Sequence, residues 1–542
     1  MDHLIAPYGG TLVNLIDPER VEALKQEAFS LPSLDIAWEQ QCELEMLMNG
    51  AYSPLTGYMT RAQCEQVRST HKLDDGTFWP VPITLTSKAK QAADFKPGDR
   101  IALRDGEGFM LAVLTLSDSW QEADVWHLGG AIEGAALPPH PDFVAWRHTP
   151  AELRAVFAKR GWRRVAAWQA RQPMHRAQFE FCLKCAVENE ANLLLHPLAG
   201  GDITEAPAYF GLVRSFLAIH ERFPAATTQL SILPAPPRKN GPAEWLLRTI
   251  VARNYGCSLL IAGGEHEPVG ARRRGQDMLD AESATSLAEQ AGQLGVRLVA
   301  YPRMVYVEDR AEYMQEAEVP EGARISTLTG EEFHRRMRAG LKIPAWYSFP
   351  ELIDELARQE PPRDQQGFTV FFTGLSGAGK STIARALAAR LMEMGGRSVT
   401  LLDGDIVRRN LSSELGFNKA HRDINVRRIG FVASEITKNR GIAVCAPIAP
   451  YRQTRRDVRA MIEAVGGFVE IHVATPIETC ESRDRKGLYA KARAGLIPEF
   501  TGVSDPYEIP ENPELSIDTT GLGIDEAVQR VLLKLEYEGY LR

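Results

Sequence analysis

The chain of 542 residues has few cysteines, no long apolar segment and no excess of basic residues. Its seven cysteines are an odd number spread over the whole length, which argues against a disulfide framework. No stretch approaches the apolar length of a membrane span, and the N-terminus lacks the pattern of a signal peptide, so we expect a cytoplasmic protein without a membrane partner. The net charge of -8 gives no electrostatic reason to expect nucleic acid as a partner.

One cysteine pair, Cys182 and Cys185, has the spacing of metal ligands. No second pair and no nearby histidine would complete four ligands, and the flanking residues 177–189 have a helical pattern. We therefore expect two packed side chains and no structural zinc.

The length and the apolar runs predict an α/β protein of several domains. Residues 1–150 contain short apolar runs broken by Gly, Pro and Asp, such as 79–85, which favours a β-rich module. In 151–355, helical patterns alternate with buried-strand runs, which is typical of a parallel sheet with helices. A polar linker is predicted at 356–366, and strands and helices alternate again in 367–542.

A complete phosphate-binding loop follows the apolar run 368–373 and precedes a helical pattern. Its glycines allow consecutive N–H groups to point at phosphate oxygens, Lys380 reaches the β/γ-phosphates, and Ser381 offers its hydroxyl to Mg²⁺. The sequence thus predicts an ATP site that uses Mg²⁺. Its residues are Gly374, Leu375, Ser376, Gly377, Ala378, Gly379, Lys380, Ser381 and Thr382.

The next predicted strand, 398–402, is followed by Asp403 and Asp405. Ligands of an open α/β sheet bind at the carboxyl ends of its strands, and a carboxylate there can order the magnesium shell or accept a proton from an attacking hydroxyl. We assign this role to Asp405, with Ser381 as the other magnesium ligand. The alternative is a turn with capping aspartates, which fits Asp403 better than Asp405.

Further motifs follow in order along the last third of the chain. They are Leu415-Gly416-Phe417, Arg422, Asn425, Arg427 and Arg428, Ile448-Ala449-Pro450-Tyr451-Arg452, 483–489 and Phe500-Thr501-Gly502. Residues 367–542 with these motifs resemble adenylylsulfate (APS) kinase. The resemblance implies transfer of the γ-phosphate of ATP to the 3′-hydroxyl of APS, which gives PAPS and ADP.

The resemblance also implies roles for individual residues. Phe417 and Phe500 would sandwich an adenine, since aromatic faces stack on bases. Arg408, Arg422 and Asn425 would hold the phosphosulfate. Lys486 would belong to a lid over the reacting phosphates and act with Lys380 and Asp405 in catalysis.

Three positions depart from the family pattern. Ala449 replaces a serine that many members carry and that was long considered a phosphate acceptor. Because alanine cannot carry phosphate, only direct in-line transfer is open to this chain. His421 and Ile424 replace an acidic pair, and there we expect altered lid or dimer contacts and retained activity.

The first 350 residues resemble ATP sulfurylase, which makes APS from ATP and sulfate. The matching segments are 49–57, 194–198, 253–256 and 343–346. The resemblance implies a PUA-like N-terminal module and a Rossmann-like nucleotidyltransferase domain.

Both triphosphate-binding segments of this sulfurylase pattern are altered. In 169–178 the second histidine has become Gln178, which donates a hydrogen bond but cannot carry the charge of a protonated histidine. In 263–270 the family arginine is Gly264, and Glu267 adds a negative charge near the phosphates. The degenerate site comprises Gln169, Arg171, Gln172, His175, Gln178, Gly264 and His266.

Sulfate is a weak nucleophile, so several lost donors predict little or no sulfurylase activity. The front domain would then assemble or regulate the kinase. Since relatives with this domain order form symmetric oligomers, we expect a homo-oligomer, either a dimer or a hexamer. Two alternatives remain open. One is a working bifunctional PAPS synthetase, for which the retained Gln169, Arg171, His175 and His266 argue, and the other is a nucleotide-sensing scaffold without catalysis.

Overall fold

The computed structural model describes residues 4–88, 90–199, 208–236, 238, 241–263, 289–484 and 487–542. The chain forms two compact units. The first unit contains the residues up to Met337 and also Lys342–Glu360. The second unit contains Arg338–Leu341 and Pro361–Arg542. In the described ranges, no helix is both long and apolar enough to cross a membrane.

A mixed sheet of six strands forms the start of the first unit, in the predicted β-rich region. Its strands are β1 (Ser33–Asp35), β2 (Gly57–Tyr58), β3 (Leu85–Ser87), β4 (Arg100–Arg104), β5 (Met110–Glu122) and β6 (Val125–Gly134), in the order β1-β4-β5-β6-β2 with β3 also on β6. The helices here are α1 (Val21–Glu27), α2 (Trp38–Met48) and α3 (Arg61–Thr70). The run 79–85 becomes strand only at its end, because Pro80 and Pro82 cannot donate backbone hydrogen bonds.

The rest of the first unit contains a parallel sheet, as predicted. Its strands are β7 (Val165–Ala170), β8 (Asn192–Pro197), β9 (Thr228–Leu230), β10 (Leu259–Ala262) and β11 (Arg297–Ala300), in the order β11-β10-β7-β8-β9. A small antiparallel sheet follows, with β12 (Met304–Val307), β13 (Glu312–Gln315) and β14 (Ile325–Ser326). The described helices are α4 (Pro150–Lys159), α5 (Arg176–Glu188), α6 (Ala208–His220), α7 (Pro242–Asn254), α8 (Gly330–Arg338) and α9 (Pro350–Gln359).

The second unit is built on a five-stranded parallel sheet. Its strands are β15 (Phe368–Thr373), β16 (Val399–Asp403), β17 (Ile442–Ala446), β18 (Gly467–Val473) and β19 (Leu515–Ile517), in the order β16-β17-β15-β18-β19. Its helices are α10 (Lys380–Met394), α11 (Gly404–Leu411), α12 (Lys419–Lys438), α13 (Arg452–Glu463), α14 (Ile477–Arg483), α15 (Leu488–Arg493) and α16 (Ile524–Tyr537).

The central strand β15 is buried on both sides, which explains its continuous apolar sequence. Phe368 and Phe372 belong to a core cluster with residues of α10 and α16, and Phe371 belongs to a second cluster with residues of α12 and α13. Helices therefore cover both faces of the sheet, and the carboxyl ends of its strands form one edge at which a ligand can bind.

Candidate active site

The phosphate-binding loop connects the end of β15 with the start of α10. Gly374, Gly377 and Gly379 have φ values of 148°, 76° and 103°. A Cβ on Gly374 would lie 2.5 Å from the carbonyl oxygen of Val473, so no larger residue fits there. This glycine-rich turn leads into the N-terminus of a 15-residue helix, which favours phosphate binding.

Lys380 is the first residue of α10 and is buried. Its Nζ donates a hydrogen bond to the carbonyl oxygen of Leu375 at 2.7 Å, which holds the ammonium group over the loop. Burial lowers the pKa of Lys380 to about 8. Anionic phosphate groups beside this ammonium would favour its charged form.

Ser381 lies beside Asp403, the last residue of β16. The Ser381 Oγ and Asp403 Oδ1 atoms are 3.5 Å apart, and Asp403 Oδ2 forms an ion pair with Arg385 at 2.9 Å. Asp403 stands at the start of α11, but its side chain makes no capping hydrogen bond there, so the capping interpretation is wrong for this residue. A hydroxyl and a carboxylate oxygen are suitable ligands for Mg²⁺.

Tyr489 connects the loop with one of the predicted adenine-binding residues. Its hydroxyl donates to the carbonyl oxygen of Ser376 at 2.8 Å, and its ring meets that of Phe500 edge-on with centroids 5.0 Å apart. Phe417, the other predicted stacking residue, is 64% exposed and lies 4.2 Å from the guanidinium carbon of Arg408. The two phenylalanines thus have different partners.

Arg422, on α12, is held by the segment 499–505. It forms an ion pair with Asp505 at 2.5 Å, donates to Thr501 Oγ1 at 3.0 Å and also donates to the carbonyl of Glu499. The hydroxyl of Tyr451 donates to the same carboxylate of Asp505 at 2.8 Å. A negative ligand at Arg422 would therefore meet a guanidinium whose position is already fixed.

Asn425 lies one turn further along α12 and is 7% exposed. Its Oδ1 has no hydrogen-bond partner among the described residues. A buried polar atom of this kind costs free energy unless a ligand or water satisfies it. Of the other predicted residues, Lys486 and the side chain of Asp405 lie outside the described part of the structure; Asp405 itself is the second residue of α11.

In the first unit, Gln169 at the end of β7 is paired in register with His196 on β8. Both side chains are buried, at 1% and 0% exposure. Within the described ranges, neither the amide atoms of Gln169 nor the ring nitrogens of His196 have a hydrogen-bond partner. Burial lowers the pKa of His196 to about 3.

Arg171 follows the end of β7 and is directed to other parts of the same unit. Its guanidinium donates to the carbonyls of Ala235 and Pro236 at 3.2 and 2.8 Å, and Glu244 lies 4.0 Å away. The carboxylate of Glu244 therefore offsets part of the positive charge that Arg171 could offer to a phosphate.

His175 stands at the start of α5, where its Nδ1 and Ser348 Oγ are 2.9 Å apart. Its ring packs against Phe333 and Tyr347, and burial lowers its pKa to about 4, so it is neutral at pH 7. Gln178, in the first turn of α5, is buried, whereas Gln172 is exposed. Gly264 and His266 lie outside the described residues.

Sequence reasoning missed two kinds of contact. It did not connect Asp403 with Ser381, although a strand-end carboxylate next to a P-loop was a visible signal. It also did not identify Asp505 as the common partner of Arg422 and Tyr451, because residues 83 and 54 positions apart give no local pattern.

Three family models match the chain. A PUA-like domain matches residues 5–143, ATP-sulfurylase matches 144–359, and adenylylsulphate kinase matches 366–518. Over 570 residues, the chain is 40% identical to a sulfate adenylyltransferase of Emericella nidulans, with 98% of this chain and 99% of the relative covered. A sulfate adenylyltransferase of Aspergillus terreus is 39% identical over 571 residues, covering 99% of each chain.

A solved structure also matches the full length. It is described as a hexameric APS kinase from Thiobacillus denitrificans and is 71% identical to this chain, with a TM-score of 0.88 and 99% of each chain covered.

Proposed function

The chain belongs to the sulfate adenylyltransferase family and ends in an adenylylsulfate kinase domain, and we propose that it is an APS kinase whose sulfurylase-like part does not transfer adenylyl groups. The kinase would transfer the γ-phosphate of ATP to the 3′-hydroxyl of APS and release PAPS and ADP. The observation that carries this proposal is the complete phosphate loop, with Lys380 buried over it and Ser381 beside Asp403.

On the ATP side, the turn of the loop and the N-terminus of α10 would bind the phosphates, and Lys380 would neutralise charge on the β- and γ-phosphates. Ser381 and Asp403 would hold Mg²⁺, together with Asp405 as the sequence predicts. When bound there, Mg²⁺ would supply positive charge that offsets the negative charge developing during transfer. Asp405 would also accept the proton of the attacking hydroxyl, and Lys486 would close over the phosphates.

On the acceptor side, Arg422 offers guanidinium donors to an anion, and Asn425, one turn further along α12, offers a buried oxygen that can accept a hydrogen bond from a hydroxyl or amino group of the nucleotide. The guanidinium of Arg408 packs against the ring of Phe417, and the ring of Phe500 packs against that of Tyr489. This set suits a nucleotide with an anionic tail, in which the base stacks and the phosphosulfate pairs with guanidinium groups.

Ala449 decides between two routes for the phosphate. It is buried at 1% exposure, and its methyl group has no atom that could accept phosphate. We therefore propose a single in-line displacement in which the O–P bond to the 3′-oxygen forms as the bond to ADP breaks.

The proposed loss of sulfurylase activity is supported by the charges of the front site. His175 is neutral at pH 7, Arg171 is bonded to backbone carbonyls near Glu244, and Gln178 cannot be protonated. Among the described residues of this site, few positive groups therefore remain to stabilise a departing pyrophosphate.

A bifunctional PAPS synthetase is the second candidate. The observation in its favour is that relatives 39–40% identical over nearly the whole chain are named sulfate adenylyltransferase. The full-length structure at 71% identity, described as an APS kinase, favours the first candidate. A nucleotide-sensing scaffold without catalysis is disfavoured, because the kinase motifs of 367–542 are present together with the phosphate loop.

We also propose that the chain forms a homo-oligomer, since the relative at 71% identity is described as hexameric. Light scattering of the purified chain would test this. The kinase proposal is tested by PAPS formation from APS and Mg-ATP, with Lys380→Met as the inactive control. Turnover at the normal rate in that variant would refute the assignment of the site.

A further inference from the structure

Arg455 lies at the centre of the contacts that join two loops of the second unit. It is on α13 and is only 3% exposed. Its Nη1 donates to the carbonyl of Ala449 at 2.7 Å, and its Nη2 donates to the carbonyl of Glu508 at 2.6 Å. The same guanidinium forms an ion pair with Glu470 on β18 at 3.0 Å. One side chain therefore connects the loop after β17, the segment 499–508 and the sheet.

The two joined loops carry groups that surround Arg422. Tyr451, two residues after Ala449, donates its hydroxyl to Asp505, and Asp505 pairs with Arg422 at 2.5 Å. Asp505 is in turn three residues before Glu508. A shift of either loop would move the carboxylate that orients Arg422.

Ala449 itself has a conformation that requires support. Its φ is 46°, in the left-handed region that residues other than glycine rarely adopt. Its carbonyl accepts hydrogen bonds from Arg455 and from Thr373 Oγ1, the latter at 3.2 Å. These donors fix the direction of the carbonyl, and surrounding contacts of this kind maintain a strained backbone at functional sites.

Only arginine can make this set of contacts. Its planar guanidinium has five N–H donors in a rigid fork, so it reaches two carbonyls and a carboxylate at once. A lysine ammonium would keep the charge near Glu470 but would donate from a single point. It would leave at least one of the buried carbonyls of Ala449 and Glu508 without its donor.

We propose that Arg455 is a positioning residue for APS: it holds the loops 449–452 and 505–508 so that Asp505 keeps Arg422 in place for the anionic tail of the acceptor. This inference rests on the proposed kinase function. It differs from a general stabilising role, because the joined loops carry the groups around Arg422, and in the described part of the structure the Arg455 guanidinium bonds to Ala449, Glu508 and Glu470 and not to the phosphate loop 374–382.

The test compares Arg455→Lys with the full-length chain for APS and ATP separately. We expect the KM for APS, and the Kd for APS measured by calorimetry, to rise about tenfold or more, since hydrogen bonds from a charged donor are lost. The KM for ATP should change by less than about twofold, because the bond that joins the phosphate loop to this region, from the Gly374 N–H to the Ile448 carbonyl at 3.3 Å, does not involve Arg455. Tyr451→Phe, which removes one bond between the same loops, should raise the KM for APS by a smaller factor.

Arg459→Lys is the matched control. Arg459 lies one turn further along α13 and pairs with Glu463, Glu470 and Glu514, but it contacts neither loop in the described structure. It should leave both KM values unchanged. The inference is wrong if Arg455→Lys leaves APS binding unchanged, if it raises the KM for ATP equally, or if Arg459→Lys has the same effect. Each of these results can occur while the unsubstituted chain makes PAPS, whereas a chain that neither binds nor phosphorylates APS refutes the proposed function as well.

Discussion

Ser381 Oγ lies 3.5 Å from Asp403 Oδ1, so the hydroxyl of the phosphate loop and the carboxylate at the end of β16 face each other at the edge of the sheet. Asp403 is 4% exposed, and its other oxygen is paired with Arg385. The sequence predicts Asp405 as a magnesium ligand, and this contact is the reason that we propose Asp403 as another.

We predict that Asp403→Asn lowers kcat for PAPS formation by about 10²-fold or more, because an amide oxygen is a weaker ligand for Mg²⁺ than a carboxylate. ADP release in a coupled assay measures the effect. The control is Arg385→Gln: its side chain is 63% exposed, so loss of the ion pair should change kcat by less than about fivefold. Equal losses in both variants would mean that the ion pair, and not the magnesium ligand, accounts for the effect.

The lowered pKa of Lys380 leads us to predict that the protein takes up a proton when ATP binds. Burial lowers its pKa to about 8 in the free protein, and the phosphates would restore the charged form. Because ATP binds the protonated form of Lys380, the affinity of the protein for ATP should be constant below pH 8. The affinity should fall as the pH rises above 8. About half a proton should be taken up at pH 8 and nearly none at pH 6.5.

Calorimetry of Mg-ATP binding in buffers of different ionisation enthalpy measures this uptake. Lys380→Met should abolish the uptake as well as PAPS formation while leaving the fold intact. An uptake at pH 8 that persists in the Lys380→Met variant would show that another group titrates.

Removal of the Phe417 ring should lower the affinity for APS without lowering the stability of the fold. Its ring is 64% exposed and contacts Arg408, so the fold gains little from it. Phe417→Ala should raise the KM for APS by about tenfold, since stacking of a base on an aromatic ring contributes about 1–3 kcal/mol. The thermal unfolding midpoint should stay the same. Tyr537→Ala, at a surface residue of the same unit that is 84% exposed, serves as the control and should change neither value.

The sequence predicted the three-part α/β architecture and the phosphate loop because these depend on local patterns. The predicted run 368–373 begins and ends at the same residues as strand β15. The glycines of the loop have the positive φ values that other residues rarely adopt. Contacts between distant segments could not be predicted this way. Arg455 meets Glu508 across 53 positions, and Arg422 meets Asp505 across 83 positions.

The front site shows the same limit. The sequence singled out Gln169 and His175 as survivors of a degenerate site, but it gave no information on the protonation of His175. Burial against Phe333 and Tyr347 lowers the pKa of His175 to about 4, and this depends on residues more than 150 positions away. The predicted domain boundaries and the roles of Gly264, His266 and Lys486 stay predictions.

The central claim is that the chain phosphorylates APS but does not make it. The most direct test incubates the purified full-length chain with Mg-ATP in two reactions, one with sulfate and pyrophosphatase and one with APS, and separates the nucleotides by chromatography. We predict PAPS only in the reaction that contains APS. APS or PAPS formed from sulfate would contradict the claim and would establish a bifunctional enzyme.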